Sequence, residues 1–532
     1  MKVAEFLLHT LELNGVDTIF GNPGTTELPL VAACERRSTL RYVVALSEIA
    51  AVPMADGYAR ASRKLGVVNL HVAPGLGNGM GTLYTAGIAG TPLLVLVGGQ
   101  DRRFLHTHPI LWGPLEQMAR TVCKAVYGLN TAYDVAANVR RALRAALTPP
   151  YKPVALVCPP DLLERDIDET PGAVHAPRLG AIDAASAEAY AQFLASAKRP
   201  AIVAAEDVHW SDASGVLAAL AERLHAPVYA APYTGVLPIA ATSKSYAGYL
   251  PPSIRQIAER LEEVDAVFFV GGRGLRTTLY SEADLPRRMA WLGADAGVQP
   301  AEGELELACI ADVKSSLAAI ADRLKPTQAQ ARDLKSPLDV PAASPGVLHP
   351  TRAVVALLER YGDAIWYDES GLSTSDVRQW MKLAAGEYII NGSGGIGWGL
   401  PAAVGGAIAH PHRKIVAAIG DGSALYASEA LWSAGRQQTT NMLLVVFSNR
   451  RYATLNEAAS RFAGGALESF TIEPPVLDFG GLAKLYGWRY ARASTEDELH
   501  AFLDAAQAPP ANTLLELVLD PAVKPVTASR HF

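Results

Sequence analysis

Cysteine is scarce: Cys34, Cys123, Cys158 and Cys309 are the four in 532 residues, and no Cys-x-x-Cys pair occurs. Four scattered cysteines in so long a chain read as small buried residues in a reduced compartment, not as a disulfide or zinc framework. No uninterrupted apolar run reaches the ~18 residues that a membrane span needs. The opening stretch to Gly15 carries Glu5 and Glu12 among its apolar residues and lacks a small-residue cleavage site, so no secretory signal is expected. The expected location is the cytoplasm. Charge of one sign is also lacking: 53 acids face 47 Lys plus Arg, for a net charge of −6, with no long basic or acidic tract. That balance argues against nucleic acid or a membrane surface as the main partner. There is no GxxxxGK[ST] phosphate loop, no HExxH and no GxSxG. The close pair His106 and His108 has no acid or cysteine nearby, so it reads as a polar loop.

What is present is apolar. Hydrophobic residues make up 50% and charged residues 19%, as in a well-buried globular protein. The length admits about three to four domains. Strand-like runs alternate with helical ones: Val16 to Phe20, Gly66 to Val72, Leu93 to Val97 and Val154 to Cys158 come first. Ala201 to Ala205 and Ala266 to Gly271 follow, then Ile365 to Asp368, Lys414 to Ile419, Met442 to Phe447 and Thr513 to Leu519. Such alternation implies parallel sheets covered on both faces. Aperiodic residues 167–182 and the proline-rich residues 325–350 read as linkers. The expectation is an α/β protein of three doubly wound domains with mostly parallel sheets, over 1–166, 183–325 and 351–532.

The sharpest motif is Gly420-Asp421-Gly422-Ser423, at the end of a buried strand and ahead of a helix-like stretch from Ala427 to Ala434. In open parallel sheets, ligands sit at the carboxyl ends of strands. Gly422 allows close backbone approach, and Asp421 is a hard oxygen ligand suited to Mg²⁺. The next strand ends at Ser448-Asn449, 28 positions after Asp421. A strand–helix–strand unit of that length returns both strand ends to one edge, where carboxylate and amide could share a cation. Gly392, Gly394 and Gly397 spell a weak GxGxxG, which leaves a nicotinamide-dependent oxidoreductase open. Glu48 follows Ser47, a candidate helix cap, and is either a first-turn acid or a functional carboxyl. His71 ends a strand at the edge of a Gly-rich loop.

These pieces resemble the thiamine-diphosphate-dependent 2-oxo-acid decarboxylase family across essentially the whole chain, and within it the branch acting on benzoylformate. The resemblance rests on Gly420-Asp421-Gly422 with Asn449, Phe20 to Pro29, Met54 to Ser62, Asn69-Leu70-His71, Gly394 to Gly397 and Leu250 to Ile257. It implies two domains of the thiamine-diphosphate-binding fold around a Rossmann-like central domain. It also implies thiamine diphosphate with Mg²⁺ (or Ca²⁺), a small 2-oxo acid as substrate, and a homodimer or homotetramer with sites between chains. Glu48 would hydrogen-bond the aminopyrimidine from an apolar pocket. Gly394 would accept from its amino group, and Ile396 would hold the cofactor bent. Asp421, Asn449 and the carbonyl of Arg451 would hold the metal. Gly420, Gly422, Ser423 and Tyr452 would complete the cofactor seat. Thr25, His71, Leu111, Trp112, Thr278 and Thr454 would face the substrate, with His71 as proton relay. The implied reaction is non-oxidative decarboxylation to aldehyde and CO₂, an aromatic acid being favoured. A carboligase of the acetolactate-synthase type is the alternative that keeps the cofactor.

The chain departs from the family pattern in four places. Thr278 stands where the family has a second histidine. Gly371 and Leu372 replace two hydroxyl residues at the diphosphate. Pro53 falls inside the helix after Glu48 and is expected to kink it. The stretch from Asn456 to Glu473 reads as a lengthened loop.

Overall fold

The computed structural model describes residues 1–272, 274–278, 282–286, 288–297, 305–325, 338–344, 346–462, 464–465, 467–505 and 511–527. Half of the second expected linker, residues 326–337 and Pro345, lies outside these. Residues 167–183 carry no helix and no paired strand.

Three six-stranded sheets follow one another along the chain, and every strand pairing in them is parallel. The first sheet has the spatial order Arg41–Val44, Thr18–Asn22, Gly66–Leu70, Leu93–Gly98, Pro153–Cys158, Ala125–Gly128. The third repeats that order with Tyr388–Ile390, Ile365–Glu369, Ile415–Gly420, Met442–Ser448, Thr513–Val518, Arg489–Ala493. The central sheet runs Leu305–Ile310, Met289–Gly293, Ala266–Val270, Pro200–Ala204, Val228–Ala230, Tyr246–Tyr249. In both outer sheets the strand order reverses between the first and third strands, where an open α/β sheet leaves its crevice. Helices cover both faces, which is why Leu93–Gly98 and Met442–Ser448 are buried along their whole length and read as continuous apolar runs.

Several boundaries differ from expectation. The strand expected to reach Val72 ends at Leu70, and Val72 opens the helix Val72–Ile88. The helix expected over 427–434 runs over Ala430–Arg436, and a separate helix, Asp421–Tyr426, precedes it from the motif itself. The expected loop from Asn456 begins inside a helix, Ala453–Phe462. Pro53 stands inside Glu48–Ser62, which continues through it as one helix. Cys34, Cys123 and Cys158 are buried free thiols, and Cys309 is a half-buried one.

The outer domains are joined by two helices, Glu48–Ser62 and Gly399–Ala409. Their backbones touch: a Cβ on Gly57 would lie 2.1 Å from the Ala402 oxygen, and one on Gly405 would lie 2.0 Å from the Met54 oxygen. Beside this crossing Arg60 is fully buried. Its Nε donates to Asp56 at 2.8 Å and its Nη1 to the Ile390 carbonyl at 2.8 Å. Trp398 donates its indole N–H to Asp56 at 2.7 Å. Arg60→Ala would strand the Asp56 charge in this seam. Urea unfolding should read a loss of about 3–5 kcal/mol, the usual result of removing one partner of a buried pair.

His209 lies in the same seam, its Nε2 donating to the Arg60 carbonyl at 2.9 Å. Burial, with the nearby charges of Arg63 and Arg60, pushes its pKa down to about 3. The unfolded chain takes up that proton near pH 6.5, so the contribution is whole above pH 6.5. It falls by about 1.4 kcal/mol per pH unit as pH drops towards the folded value. His209→Gln should flatten that acid slope in unfolding midpoints compared between pH 7 and pH 5.

Candidate active site

Two groups of side chains gather at the switch points of the outer sheets. The N-terminal group begins with Glu48, at the start of its helix. Ser47 caps this helix, its Oγ accepting from the Ala50 N–H at 3.3 Å, and also donates to the Glu429 carboxylate of the third domain. Glu48 is buried, but the expected apolar pocket is not what surrounds its carboxyl. Asn22 and Asn78 each donate an amide N–H to it at 3.1 Å, one to each oxygen.

His71 follows the third strand and precedes Val72, whose φ of +41° places a β-branched residue in left-handed backbone. The His71 Nδ1 lies 2.8 Å from Glu27 Oε2 and 3.3 Å from the Thr26 hydroxyl. Glu27 is buried and also accepts from the Gly24 N–H at 2.8 Å and the Thr26 hydroxyl at 2.6 Å. A carboxylate at Nδ1 fixes the proton there and leaves Nε2 for the open side. A Cβ on Gly24 would sit 2.3 Å from the imidazole, so glycine is what admits the ring. Sequence reasoning missed Glu27. Its spacing three residues after Gly24, the reach of a capping acid, was the available signal. Thr25 is exposed in the same turn. Leu111 (φ +64°) and Trp112 are exposed in the loop after Arg102–Thr107.

The C-terminal group lines a cleft of about 1430 Å³ between the second and third domains. Asp421 and Asn449 follow adjacent strands paired in register at Gly420 and Phe447, and both line it. Asp421 is buried and accepts only backbone donors, from Gly422 at 2.8 Å and Arg450 at 2.6 Å. Burial pushes its carboxyl up to about 6 against those donors. No Lys or Arg among the described residues pairs with it. No group of three or more His, Cys, Asp or Glu is assembled for a metal among the described residues. A buried acid lacking a counter-charge, beside an amide oxygen and the backbone after Asn449, therefore fits a cation that draws its other oxygens from a bound phosphate. Tyr452 lies against Gly422, where a Cβ would come 2.6 Å from its ring. Gly394 (φ +81°), Ile396, Gly420, Ser423, Thr278, Arg451 and Thr454 line the same cleft. Thr278 is tied by its N–H to the Pro252 carbonyl at 2.8 Å. Gly371 (φ +64°) and Leu372 lie beside the buried Ser370. Glu369, which the sequence did not single out, also lines the cleft, and burial pushes its carboxyl up to about 7.

None of the cleft's lining residues comes from the N-terminal domain. Within one chain, then, Thr25, Glu48, His71, Leu111 and Trp112 are not brought together with Asp421. The GxGxxG match follows Tyr388–Ile390, an edge strand, so it lacks the strand position that a dinucleotide fingerprint requires.

A three-domain α/β chain with matching outer sheets and an acid–amide pair at a strand edge has the build of an enzyme working through a phosphorylated cofactor. Comparison with known proteins gives that class its family. Residues 1–119 match the thiamine pyrophosphate enzyme N-terminal TPP binding domain, 187–320 its central domain, and 369–517 its C-terminal TPP binding domain. Benzoylformate decarboxylase of Pseudomonas aeruginosa is 32% identical over 95% of this chain and 97% of its own. An acetolactate synthase large subunit of Parasynechococcus marenigrum is 24% identical over 97% of this chain and 87% of its own. The solved thiamine diphosphate-dependent 4-hydroxybenzoylformate decarboxylase of Rhodococcus jostii RHA1 superposes with a TM-score of 0.89 at 29% identity, covering 98% of this chain and 99% of its own. The chain belongs to the thiamine pyrophosphate enzyme family. Among the described residues no helix is long and apolar enough to cross a membrane.

Proposed function

We propose that this enzyme is a thiamine-diphosphate-dependent lyase that converts a 2-oxo acid, an aromatic one favoured, to an aldehyde and CO₂. The observation that carries this reading is the His71–Glu27 pair at the carboxyl edge of the first sheet. A decarboxylase must return a proton after CO₂ leaves, and an imidazole with Nδ1 pinned presents Nε2 for that task. When bound, the cofactor supplies the nucleophilic carbon and the electron sink. Asp421, Asn449 and the Arg451 carbonyl would hold the Mg²⁺ or Ca²⁺ that anchors its diphosphate, and Ser423 would lie alongside. Gly394 would accept from the aminopyrimidine, and Ile396 would pack against the cofactor. Glu48 would hydrogen-bond the pyrimidine ring nitrogen, and Asn22 and Asn78 fix the carboxyl's direction. Thr25 meets the substrate carboxylate, and Leu111, Trp112 and Thr454 shape the space for its side chain.

These residues meet only if two chains pair, so the assembly is a homodimer or a homotetramer built from two dimers. Exposed apolar residues support this on both sides of the proposed joint: Ile110, Leu111 and Trp112 on one domain, Ile396, Leu425 and Tyr426 on the other. One observation favours a carboligase instead. Thr278 lines the cleft where a second proton donor would stand, and a threonine cannot titrate there near neutral pH. Product analysis decides between them. With benzoylformate alone and with added aldehydes, aldehyde and CO₂ in equal amounts, dependent on thiamine diphosphate, are expected. A 2-hydroxy ketone as main product would transfer the enzyme to the carboligase reading.

A further inference from the structure

We propose that Glu369 is a positioning residue that sets the Gly394–Ile396 turn against the cleft, an inference that rests on the proposed function for what the turn does. Glu369 ends the first strand of the third sheet, at its switch point. Its Oε1 accepts the Gly397 N–H at 2.6 Å and its Oε2 the Gly399 N–H at 2.5 Å, with the Trp398 N–H and the Ser423 side chain also against it. One carboxylate thus caps the first residue of Gly399–Ala409 and anchors the downstream end of the turn. Donors at a helix start favour a negative group, and hydrogen bonds to a charged acceptor are stronger than neutral ones.

The upstream end is held separately by Asn391, whose Oδ1 accepts from Ser393 N–H at 2.9 Å and Gly394 N–H at 3.2 Å. Between the two anchors Gly394, Gly395 and Ile396 are exposed. Within the turn Asn391 also donates its amide N–H to the Gly395 carbonyl, and Ser393 Oγ accepts the Gly395 N–H at 3.2 Å, so Glu369 is the anchor on the downstream side of a turn that Asn391 and Ser393 hold from upstream. No other carboxylate in the described residues accepts from Gly397 or Gly399. Because Ser423 lies beside the same carboxylate, Glu369 also links the turn to the Gly420–Ser423 seat.

The test is hydrogen–deuterium exchange and cofactor binding on the full-length chain. In the wild-type protein without cofactor, the amides of 397–399 should exchange slowly despite the neighbouring exposed turn. Glu369→Gln keeps the shape but offers one acceptor oxygen, so those amides should exchange about 10–100-fold faster, the range for a lost hydrogen bond to a charged group. With thiamine diphosphate bound, the near-ultraviolet circular dichroism of the aminopyrimidine should change. kcat should fall by about 10–100-fold, with KM and cofactor affinity moving far less. Glu369→Asp, which reaches one amide only, should fall between. Fast exchange at 397–399 in wild type, or unchanged exchange in Glu369→Gln, would overturn the anchor. Faster exchange with unaltered circular dichroism and kcat would reduce Glu369 to a helix cap and overturn its positioning role. If no 2-oxo acid is turned over by the wild type, the proposed reaction fails while exchange and circular dichroism still decide this inference.

Discussion

Asp421→Ala should leave a folded protein that no longer retains thiamine diphosphate, whereas Glu48→Gln should keep the cofactor and lose turnover. Asp421 is buried at the junction of Gly420 and Asn449, and among the described residues no Lys or Arg balances it. Its loss removes the charged oxygen that would hold the metal against two phosphates. Even outer partners of metal ligands are worth about 10–100-fold in affinity, so a fall of at least about 100-fold is expected. Glu48 stands on another domain and touches no part of the cleft in its own chain. Both its oxygens are already oriented by Asn22 and Asn78. Glu48→Gln places an amide where a carboxyl must act on the pyrimidine, and turnover should fall by about 10²–10⁴, the range for a general acid–base group. Equilibrium dialysis against thiamine diphosphate, with kcat from saturated enzyme, separates the two. Equal loss of cofactor affinity in both variants would contradict this division.

His71→Ala should reduce turnover by about 10²–10⁴ with little change in cofactor binding. The ring is held through Nδ1 by a buried carboxylate, which leaves its outer nitrogen free to take up and release the transferred proton. Glu27→Gln should fall part of the way, because a neutral amide no longer favours one tautomer. Thr278→His should raise turnover of benzoylformate if the missing second imidazole limits that substrate. Single-turnover kinetics with a 2-oxo acid reads all three. A His71→Ala enzyme that releases CO₂ and aldehyde at wild-type rates would remove His71 from the reaction.

The sequence carried the three α/β units because their central strands are buried on both faces and so are written as unbroken apolar runs. It carried Asp421 and Asn449 because one strand–helix–strand unit sets their distance. What it did not carry depends on pairs made across the fold. Glu369 meets Gly397 and Gly399, 28 and 30 positions away, through a strand edge that no local pattern records. Asn22 and Asn78 reach Glu48 from either side in sequence, and they replace the apolar pocket that the chemistry alone suggested. Arg60 and Asp56 sat in a stretch matched only as resemblance. In the fold they form a buried ion pair on one helix that faces the third domain and bonds the Ile390 carbonyl and the Trp398 indole there. The lengthened loop from Asn456 to Glu473 rested on the family pattern alone, and its first part, to Phe462, is the end of the helix Ala453–Phe462.

The central claim is that Glu48 of one chain and Asp421 of another serve a single thiamine diphosphate in decarboxylation. Mixing Glu48→Gln and Asp421→Ala subunits under conditions of subunit exchange tests it directly. Each variant alone should be nearly inactive with the 2-oxo acid and thiamine diphosphate. The mixture should recover at most about a quarter of wild-type CO₂ release, since half of the twofold-symmetric dimers are hybrid and each hybrid holds one intact site. No recovery, with exchange proven by a tagged subunit, would contradict the shared site.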